Sequence, residues 1–232
     1  MKIICPKSQF LHGVTIVSKA VSTKTTMDIL ECILIEAFDG CIKLTANDTE
    51  LGIETTIDGD IISPGKIALE AKLFSEIIKK IPDNDVILET EENGNTSIRC
   101  EQIQCNIMGK QGDDFSHLPV IERENKITVS QYDLKEVIRQ TIFSVSDNEN
   151  NKLMTGELFQ IEENQLTVTS LDGHRISVRK IALQDNYPKM EVIVPGKTLS
   201  EISKILPGEA KDSVNMSVSY THLRAHETLR HL

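Results

Sequence analysis

The run Asp172-Gly173-His174-Arg175 holds side chains that could perform acid–base chemistry. An aspartate two residues from a histidine resembles a general base with its orienting carboxylate. A cytosolic hydrolase or a ligand-binding domain that uses His174 and Arg175 is therefore one interpretation. However, the chain carries no GxSxG nucleophile motif, phosphate-binding loop or paired metal ligands. An Asp-Gly pair also forms turns readily, with His174 and Arg175 then beginning a strand. We favour the turn and predict no catalytic residue.

Cysteine and histidine patterns do not indicate a metal site or a cofactor. The five cysteines are odd in number and lack CxxC spacing, and no nearby histidine completes a ligand set. Buried free thiols in a reducing cytoplasm are the expected outcome. The sequence shows neither a membrane-spanning run nor a signal peptide, so a cytoplasmic protein without membrane contact is predicted.

Lysine-rich segments suggest a second kind of chemistry, contact with phosphate. The chain carries a formal charge of −10, yet the four predicted helices together carry +4 and the remainder −14. A local cluster of basic side chains is enough for phosphate contact, although a lysine-rich solvated helix face would look the same. Because no aromatic residues alternate with these lysines, contact with a duplex backbone fits better than stacking on single-stranded bases.

A long internal repeat organises these elements. Residues 71–82 and 196–207 share a lysine, Ser-Glu-Ile, a second lysine and a proline in register, at an offset of 125. Residues 42–48 match 166–172 at an offset of 124, and residues 8–14 match 130–137 more faintly. This period is far too long for a solenoid, so it indicates a duplicated domain. We predict domains at residues 1–122 and 123–217, with residues 111–125 as the linker.

Each repeat is predicted to be an α+β domain with helices on one side of antiparallel sheet. The predicted helices are Ser8–Val21, with Ser8 as N-cap, Lys72–Ile81, Ser130–Ser144 and Lys197–Ile205. The predicted strands of the first repeat are Met1–Cys5, Ile29–Ala37, Cys41–Ala46, Gly52–Ile57, Asp60–Pro64, Val86–Glu91, Thr96–Cys100 and Gln104–Gly109. Those of the second repeat are Lys126–Val129, Gly156–Glu162, Gln165–Ser170, Ile176–Ala182, Val192–Pro195 and Val214–Ser217.

Three segments resemble the bacterial sliding clamp, the beta subunit of DNA polymerase III. They are residues 18–30, residues 44–51 and the run Ser170-Leu171-Asp172-Gly173-His174-Arg175-Ile176. The resemblance covers residues 1 to about 217. It implies a non-catalytic processivity factor in which antiparallel sheets lie outside and two helices per domain lie on the inner face. Three such domains per chain, and two chains, would form a ring that encircles duplex DNA.

The resemblance also implies two interfaces. Half of a pocket for clamp-binding peptides maps onto Met154, Thr155, Leu171, Gly173, His174, Arg175 and Ile176. Leu171 departs from the small or hydroxylated residue usual before Asp-Gly-His-Arg. The partners implied for this pocket are the replicative polymerase subunit, the clamp loader and repair factors. The DNA-binding residues implied are Lys24, Lys72, Lys79, Lys80, Arg139 and Lys197.

The last residues differ in character from the rest of the chain. The string Val218–Thr228 resembles one reading frame of a transposase-based sequencing adapter. We therefore expect residues 218–232 to be non-native; the alternative is a His-rich metal-binding tail in which His222 and His226 share a helix face. The second domain would then be incomplete and the third absent. Such a chain should not close a ring and should expose an unpaired sheet edge.

Overall fold

A computed structural model describes residues 1–22, 25–115, 118, 126–148, 151–207 and 211–217. The chain divides into two compact units, unit 1 (Met1–Leu118) and unit 2 (Pro119–Leu232). The adapter-like segment 218–232 lies outside the described residues. Both units combine α-helices with antiparallel strands, so the predicted α+β class is confirmed.

Unit 1 begins with a strand and a helix and then alternates short strands with one further helix. In chain order its elements are β1 (Lys2–Pro6), α1 (Lys7–Val17), β2 (Cys32–Phe38), β3 (Cys41–Asn47), β4 (Gly52–Ile57), β5 (Asp60–Ser63), β6 (Gly65–Glu70), α2 (Ala71–Lys80), β7 (Asp85–Thr90), β8 (Asn95–Cys100), β9 (Ile103–Met108) and β10 (Lys110–Gln111). One sheet has the order β5-β1-β7-β8-β9 and the other β10-β6-β2-β3-β4.

Turn chemistry sets part of this topology. The β2–β3 hairpin closes through Asp39 and Gly40, whose φ angles of 53° and 74° give the left-handed pair that a two-residue hairpin needs. The pair Asp58-Gly59 joins β4 in one sheet to β5 in the other. A Cβ on Gly59 would lie 2.8 Å from the Ile4 carbonyl oxygen, so the close approach of β1 requires glycine at this crossover.

A single apolar core fills unit 1. Phe10 of α1 and Phe74 of α2 meet edge to face with ring centroids 5.9 Å apart. Aliphatic side chains from both sheets, such as Ile33, Leu44 and Leu88, surround this pair at 0% exposure. All five cysteines are free as expected, but Cys41 and Cys105 are half-buried rather than buried.

Part of the predicted linker is folded. Within residues 111–125, Gln111 ends β10, which pairs with β6, and Gly112–Asp114 form a 3-10 turn. Phe115 is buried against Leu34 and Ala68 on the outer side of the second sheet. The polar sequence predicted a linker here because this cluster depends on strands distant in sequence.

Unit 2 repeats the first part of this arrangement. Its elements are β11 (Lys126–Ser130), α3 (Gln131–Thr141), β12 (Gly156–Leu171), β13 (Ile176–Pro195), α4 (Gly196–Ile205) and β14 (Ser213–Ser217). The strand β11 pairs with β14, and β12 pairs with β13. Its core contains Leu134 and Val137 of α3, Leu199 of α4 and Phe159 of β12.

Four strands were predicted where unit 2 has two, β12 and β13. Residues 156–161 pair with 190–195 and residues 165–171 pair with 176–182, close to the predicted segments. The register shifts on both sides of Glu163, whose φ is 53°. The predicted breaks are therefore irregularities within extended strands, because polar residues at Glu163 and Asn164 do not require the pairing to stop.

The sequence repeat is also a structural repeat. Each element from β1 to β4 has a counterpart in unit 2 that lies 124 residues later in the chain. The helices α1 and α3 begin at Lys7 and Gln131, and both continue into 3-10 turns, Ser18–Ala20 and Ile142–Ser144. The faint sequence match that paired Ser8 with Ser130 is therefore wrong by two residues. The predicted N-cap Ser8 lies inside α1, which has Pro6 as N-cap, whereas Ser130 Oγ accepts the Asp133 backbone N–H at 3.4 Å.

Candidate functional site

The side chain of Asp172 holds the turn between β12 and β13. Its Oδ1 accepts the backbone N–H groups of His174 at 2.9 Å and Arg175 at 3.1 Å, and its Oδ2 accepts Nε–H of Arg175 at 2.7 Å. Gly173 has a φ of 88°, which favours glycine. The His174 backbone N–H is the main cause of a lowered pKa of Asp172. The carboxylate therefore shapes the turn, and these bonds give no support to a role as orienter of the His174 imidazole.

Unit 1 contains the same turn without the same side chains. Asp48 Oδ1 accepts the backbone N–H groups of Glu50 at 3.1 Å and Leu51 at 2.8 Å. Thr49 occupies the position of Gly173, with a φ of 77°. Because Asp48 and Asp172 are 124 residues apart, the turn belongs to the repeated architecture, and only the side chains on it distinguish a site in unit 2.

An exposed apolar patch adjoins the turn in unit 2. The Arg175 guanidinium lies 5.9 Å from the centre of the Phe143 ring, within the range of a cation–π contact. Phe143, Ile176 and the nearby Leu153 in the segment before β12 are 58%, 65% and 70% exposed. Sequence reasoning missed Phe143, because an apolar residue at the end of a predicted helix is normally assigned to the core, and it missed Leu153, which lies outside every predicted helix and strand.

Hydrogen bonds tie Met154 to the segment after α3 and Thr155 to the start of α4. The carbonyl oxygen of Met154 accepts the Ser146 N–H, and that of Thr155 accepts the Gly196 N–H, both at 2.9 Å. Leu171 pairs with Ile176 across β12 and β13. The Oγ atoms of Ser144 and Ser177 lie 2.6 Å apart, which links the 3-10 turn to the start of β13. The structure thus supports these residues from one side by the segment 141–146.

The predicted DNA-binding residues differ in their electrostatic surroundings. Lys72 and Lys79 are exposed on α2, seven residues apart and therefore on one side of the helix, and neither forms an ion pair within the described residues. Lys80 lies 4.0 Å from Glu76. Lys197 is exposed at the start of α4, and Lys24 lies outside the described residues.

Arg139 is the predicted DNA-binding residue with the strongest internal pairing. Its Nε–H and Nη2–H groups donate to the two oxygens of Glu136 at 2.9 and 2.7 Å. This pairing raises the pKa of Arg139 and lowers that of Glu136. The helix α2 carries three lysines and one glutamate, the largest net positive charge of the described helices, and the pairing of Arg139 with Glu136 is the part that charge counting along the sequence did not provide.

The described part of the chain contains neither a metal-binding cluster nor a membrane-spanning helix. No group of three or more His, Cys, Asp or Glu residues there could hold a metal ion. No helix in that part is long and apolar enough to cross a membrane.

Comparison with known proteins assigns both units. A family model for the N-terminal domain of the DNA polymerase III beta subunit matches residues 1–119. The model for the central domain matches residues 128–230, which extends into the adapter-like segment. The curated beta sliding clamps of Halalkalibacterium halodurans and Bacillus subtilis are 37% and 38% identical to this chain, and each comparison covers 89% of it. The chain spans 57% of the length of these relatives.

Solved structures give the same result. A crystal structure described as a DNA polymerase III beta subunit of Eubacterium rectale is 62% identical, with a TM-score of 0.93. The Bacillus subtilis sliding clamp is 36% identical, with a TM-score of 0.91. Each comparison covers 94% of this chain and 60% of the solved chain. The fold is that of the DNA sliding clamps. The chain belongs to the DNA polymerase III beta subunit family, matching its N-terminal and central domains in order.

Proposed function

We propose that this chain is part of a DNA replication processivity factor. In the complete protein, a ring-shaped homodimer would encircle duplex DNA and tether the replicative polymerase to it without reading sequence. The supporting observation is the match of both units, in order, to the N-terminal and central domains of one clamp family. The proposed role is cytoplasmic and non-catalytic, as a subunit of the DNA polymerase III holoenzyme.

The duplex would meet the basic helices. Lys72 and Lys79 support this proposal most directly, since both are exposed on one side of α2 without ion pairs in the described residues. Lys80, Arg139 and Lys197, with Lys24 in the loop after α1, would add to the positive surface. Lysine contacts phosphate as a point charge and carries no base specificity, which suits a ring that must slide.

A short linear peptide would dock beside the Asp172 turn. Exposed Ile176, Phe143 and Leu153 supply apolar surface there, and Arg175 supplies a cation. With Met154, Thr155, Leu171, Gly173 and His174 they would form half of a pocket for peptides of the polymerase, the clamp loader and repair factors. The other half would come from a third domain.

The domain limits 1–122 and 123–217, and a non-native origin of residues 218–232, are part of this proposal. Sequencing the genomic reading frame beyond codon 217 from an independent assembly tests them. A native continuation into a third repeat is expected; an unchanged genomic tail would refute the adapter origin.

The decisive test of function compares circular with linear DNA. The full-length protein, encoded by the genomic frame, should stay on nicked circular plasmid after loading and leave when one restriction cut linearises the plasmid. Gel filtration of the complexes measures both states. A protein that stays bound to the linear form, or a hydrolytic activity abolished by His174→Ala, would contradict the proposal.

A further inference from the structure

Unit 2 carries a buried polar cluster where unit 1 is entirely apolar. Thr141, Ser144, Glu157 and Ser170 are each at most 1% exposed. At the offset of 124 their counterparts are Val17, Ala20, Ile33 and Ala46, all 0% exposed members of the unit 1 core. The fold therefore does not require polar groups at these positions. Burying polar groups costs folding free energy, so their presence in unit 2 calls for a local explanation.

Glu157 is the most demanding member of this cluster. It is 0% exposed, Oε1 lies 2.9 Å from Thr141 Oγ1, and Oε2 has no hydrogen-bond partner within the described residues. A buried carboxylate with one partner is strongly disfavoured, whereas a neutral carboxyl at this position has a proton to donate.

The geometry around Thr141 favours the neutral form independently. Thr141 Oγ1 also lies 2.7 Å from the Val137 carbonyl oxygen, and a hydroxyl has only one hydrogen to donate. If Glu157 is neutral, its O–H donates to Thr141 Oγ1 and the Thr141 hydroxyl donates to Val137. If Glu157 is ionised, the hydroxyl must turn to the carboxylate and abandon Val137.

The cluster lies directly beneath the candidate peptide site. Glu157 follows Thr155 by two residues, and Ser170 precedes Leu171. Ser170 Oγ donates to the Thr141 carbonyl oxygen at 2.6 Å, and Ser144 Oγ reaches Ser177, next to Ile176. The strand ends that carry the predicted pocket residues are thus tied to the end of α3 through this cluster.

We propose that Glu157 is a positioning residue for the peptide site, and that its neutral carboxyl holds the strand ends which ionisation would loosen. The inference rests on the proposed function for its biological meaning. Peptide capture by the complete clamp would then weaken as the pH rises through neutrality.

Electrostatics agrees with this geometry. Burial raises the pKa of Glu157 to about 7, and the rise is partly opposed only by the arrangement in which the Thr141 hydroxyl turns from Val137 to the ionised carboxylate. Charged side chains on neighbouring elements are engaged elsewhere or exposed: Arg139 pairs with Glu136, Lys135 donates to the Leu206 carbonyl oxygen, Glu191 accepts from Gln160, and Arg179 and Lys180 of β13 are exposed. None of these charged groups contributes to the shift.

Methyl and carboxyl NMR of the whole chain between pH 5.5 and 8.5 tests the proposal. We expect the Glu157 side-chain carbon and the methyl groups of Met154, Leu171 and Ile176 to titrate with one midpoint near 7. Glu157→Gln should fix these methyl groups at their low-pH positions. The exposed Glu162→Gln on the same strand is the matched control and should leave the titration unchanged.

Two further variants keep the test decisive. Thr141→Val removes the hydroxyl that links the Glu157 carboxyl to the Val137 carbonyl oxygen, so the methyl groups of Met154, Leu171 and Ile176 should no longer follow the Glu157 titration. Glu157→Ile recreates the unit 1 core and serves if the glutamine variant does not fold. The proposal is overturned if Glu157 titrates below pH 5.5, or if it titrates while the methyl groups of these three residues do not respond. Because no peptide is used, this result is independent of whether the site binds one.

Discussion

At the scale of single residues, the two aspartate turns separate architecture from function. Asp48 and Asp172 accept the same pair of backbone N–H groups in the two units. The side chains that follow are Glu50 and Leu51 in unit 1, but His174 and Arg175 in unit 2. The turn is therefore shared by both units, whereas the His174 and Arg175 side chains and the adjoining apolar patch belong to unit 2.

Replacing either aspartate should destabilise its own unit. Asp172→Ala and Asp48→Ala each remove a carboxylate that accepts two backbone N–H groups, so each should lower the urea concentration at which its own unit unfolds. Hydrogen exchange should accelerate at His174 and Arg175 in the first variant and at Glu50 and Leu51 in the second. Urea unfolding and amide exchange measure the two effects. Faster exchange at both turns in either single variant would show that the turns are not independent.

At the scale of elements, equivalent helices are not electrostatically equivalent. Glu76 of α2 faces Lys80 at 4.0 Å, whereas Glu201 of α4 accepts from Lys204 at 2.7 Å. Lys204 is the repeat counterpart of Lys79, which makes no ion pair within the described residues. The helix α2 therefore offers more uncompensated positive charge than α4, although their sequences align.

Charge reversal on α2 should weaken DNA contact without affecting the fold. In the full-length clamp, Lys72→Glu with Lys79→Glu should lower the magnitude of the salt slope of duplex binding by about 2, because each lysine lost removes roughly one released counterion. Both side chains are exposed, so thermal stability should stay within about 0.5 kcal/mol of the parent.

The control is Lys180→Glu with Lys189→Glu, which makes the same charge change on exposed positions of β13. Fluorescence anisotropy with a labelled duplex at several salt concentrations gives the slope for each variant. Equal slopes for the two double variants would assign the effect to net charge alone and remove α2 from the interface.

At the scale of the whole molecule, the described parts of the two units differ in the size of their sheets. Unit 1 has two five-stranded sheets around one large core, whereas the described part of unit 2 has two two-stranded sheets around a smaller one. We therefore expect unit 2 to unfold first in urea and to be the source of the predicted aggregation, since β14 pairs only with β11 in the described residues.

Unit 2 should also depend on pH in a way that unit 1 does not. The pKa of Glu157 is about 7 in the folded state, against 4.5 for an ordinary glutamate. Between these values the unfolded chain has released the proton and the folded chain retains it, so rising pH favours unfolding. The free energy of unfolding of unit 2 should fall by roughly 3 kcal/mol above neutrality, and below about pH 4.5 this loss should be absent. Carboxyls with a lowered pKa, such as Asp172, change the free energy of unfolding only in acid, below this pH window.

Urea unfolding at pH 5 and pH 8 measures this loss. Tyrosine fluorescence reports unit 2, because Tyr132, Tyr187 and Tyr220 all follow residue 118, and amide exchange reports unit 1. Glu157→Gln should remove most of the difference for unit 2 and leave unit 1 unchanged. An equal pH dependence in the glutamine variant would assign the effect to other groups.

Much of the fold follows from the sequence because its determinants are local. The Asp39-Gly40 and Asp172-Gly173 turns, the free cysteines and the helices α2 and α4 are encoded within a few residues of where they form. The clamp resemblance was equally accessible, because residues 18–30, 44–51 and 170–176 carry it in linear order.

Tertiary structure decided what depends on distant partners. It sent the chain from one sheet to the other at Asp58-Gly59, corrected the repeat register at α1, and placed Phe115 in a core that its polar neighbours concealed. It also buried Glu157, which stands at the repeat position of Ile33, and placed its carboxyl beside Thr141. Sequence specifies backbone preferences residue by residue, whereas burial and hydrogen-bond partners exist only once remote strands and helices share one interior.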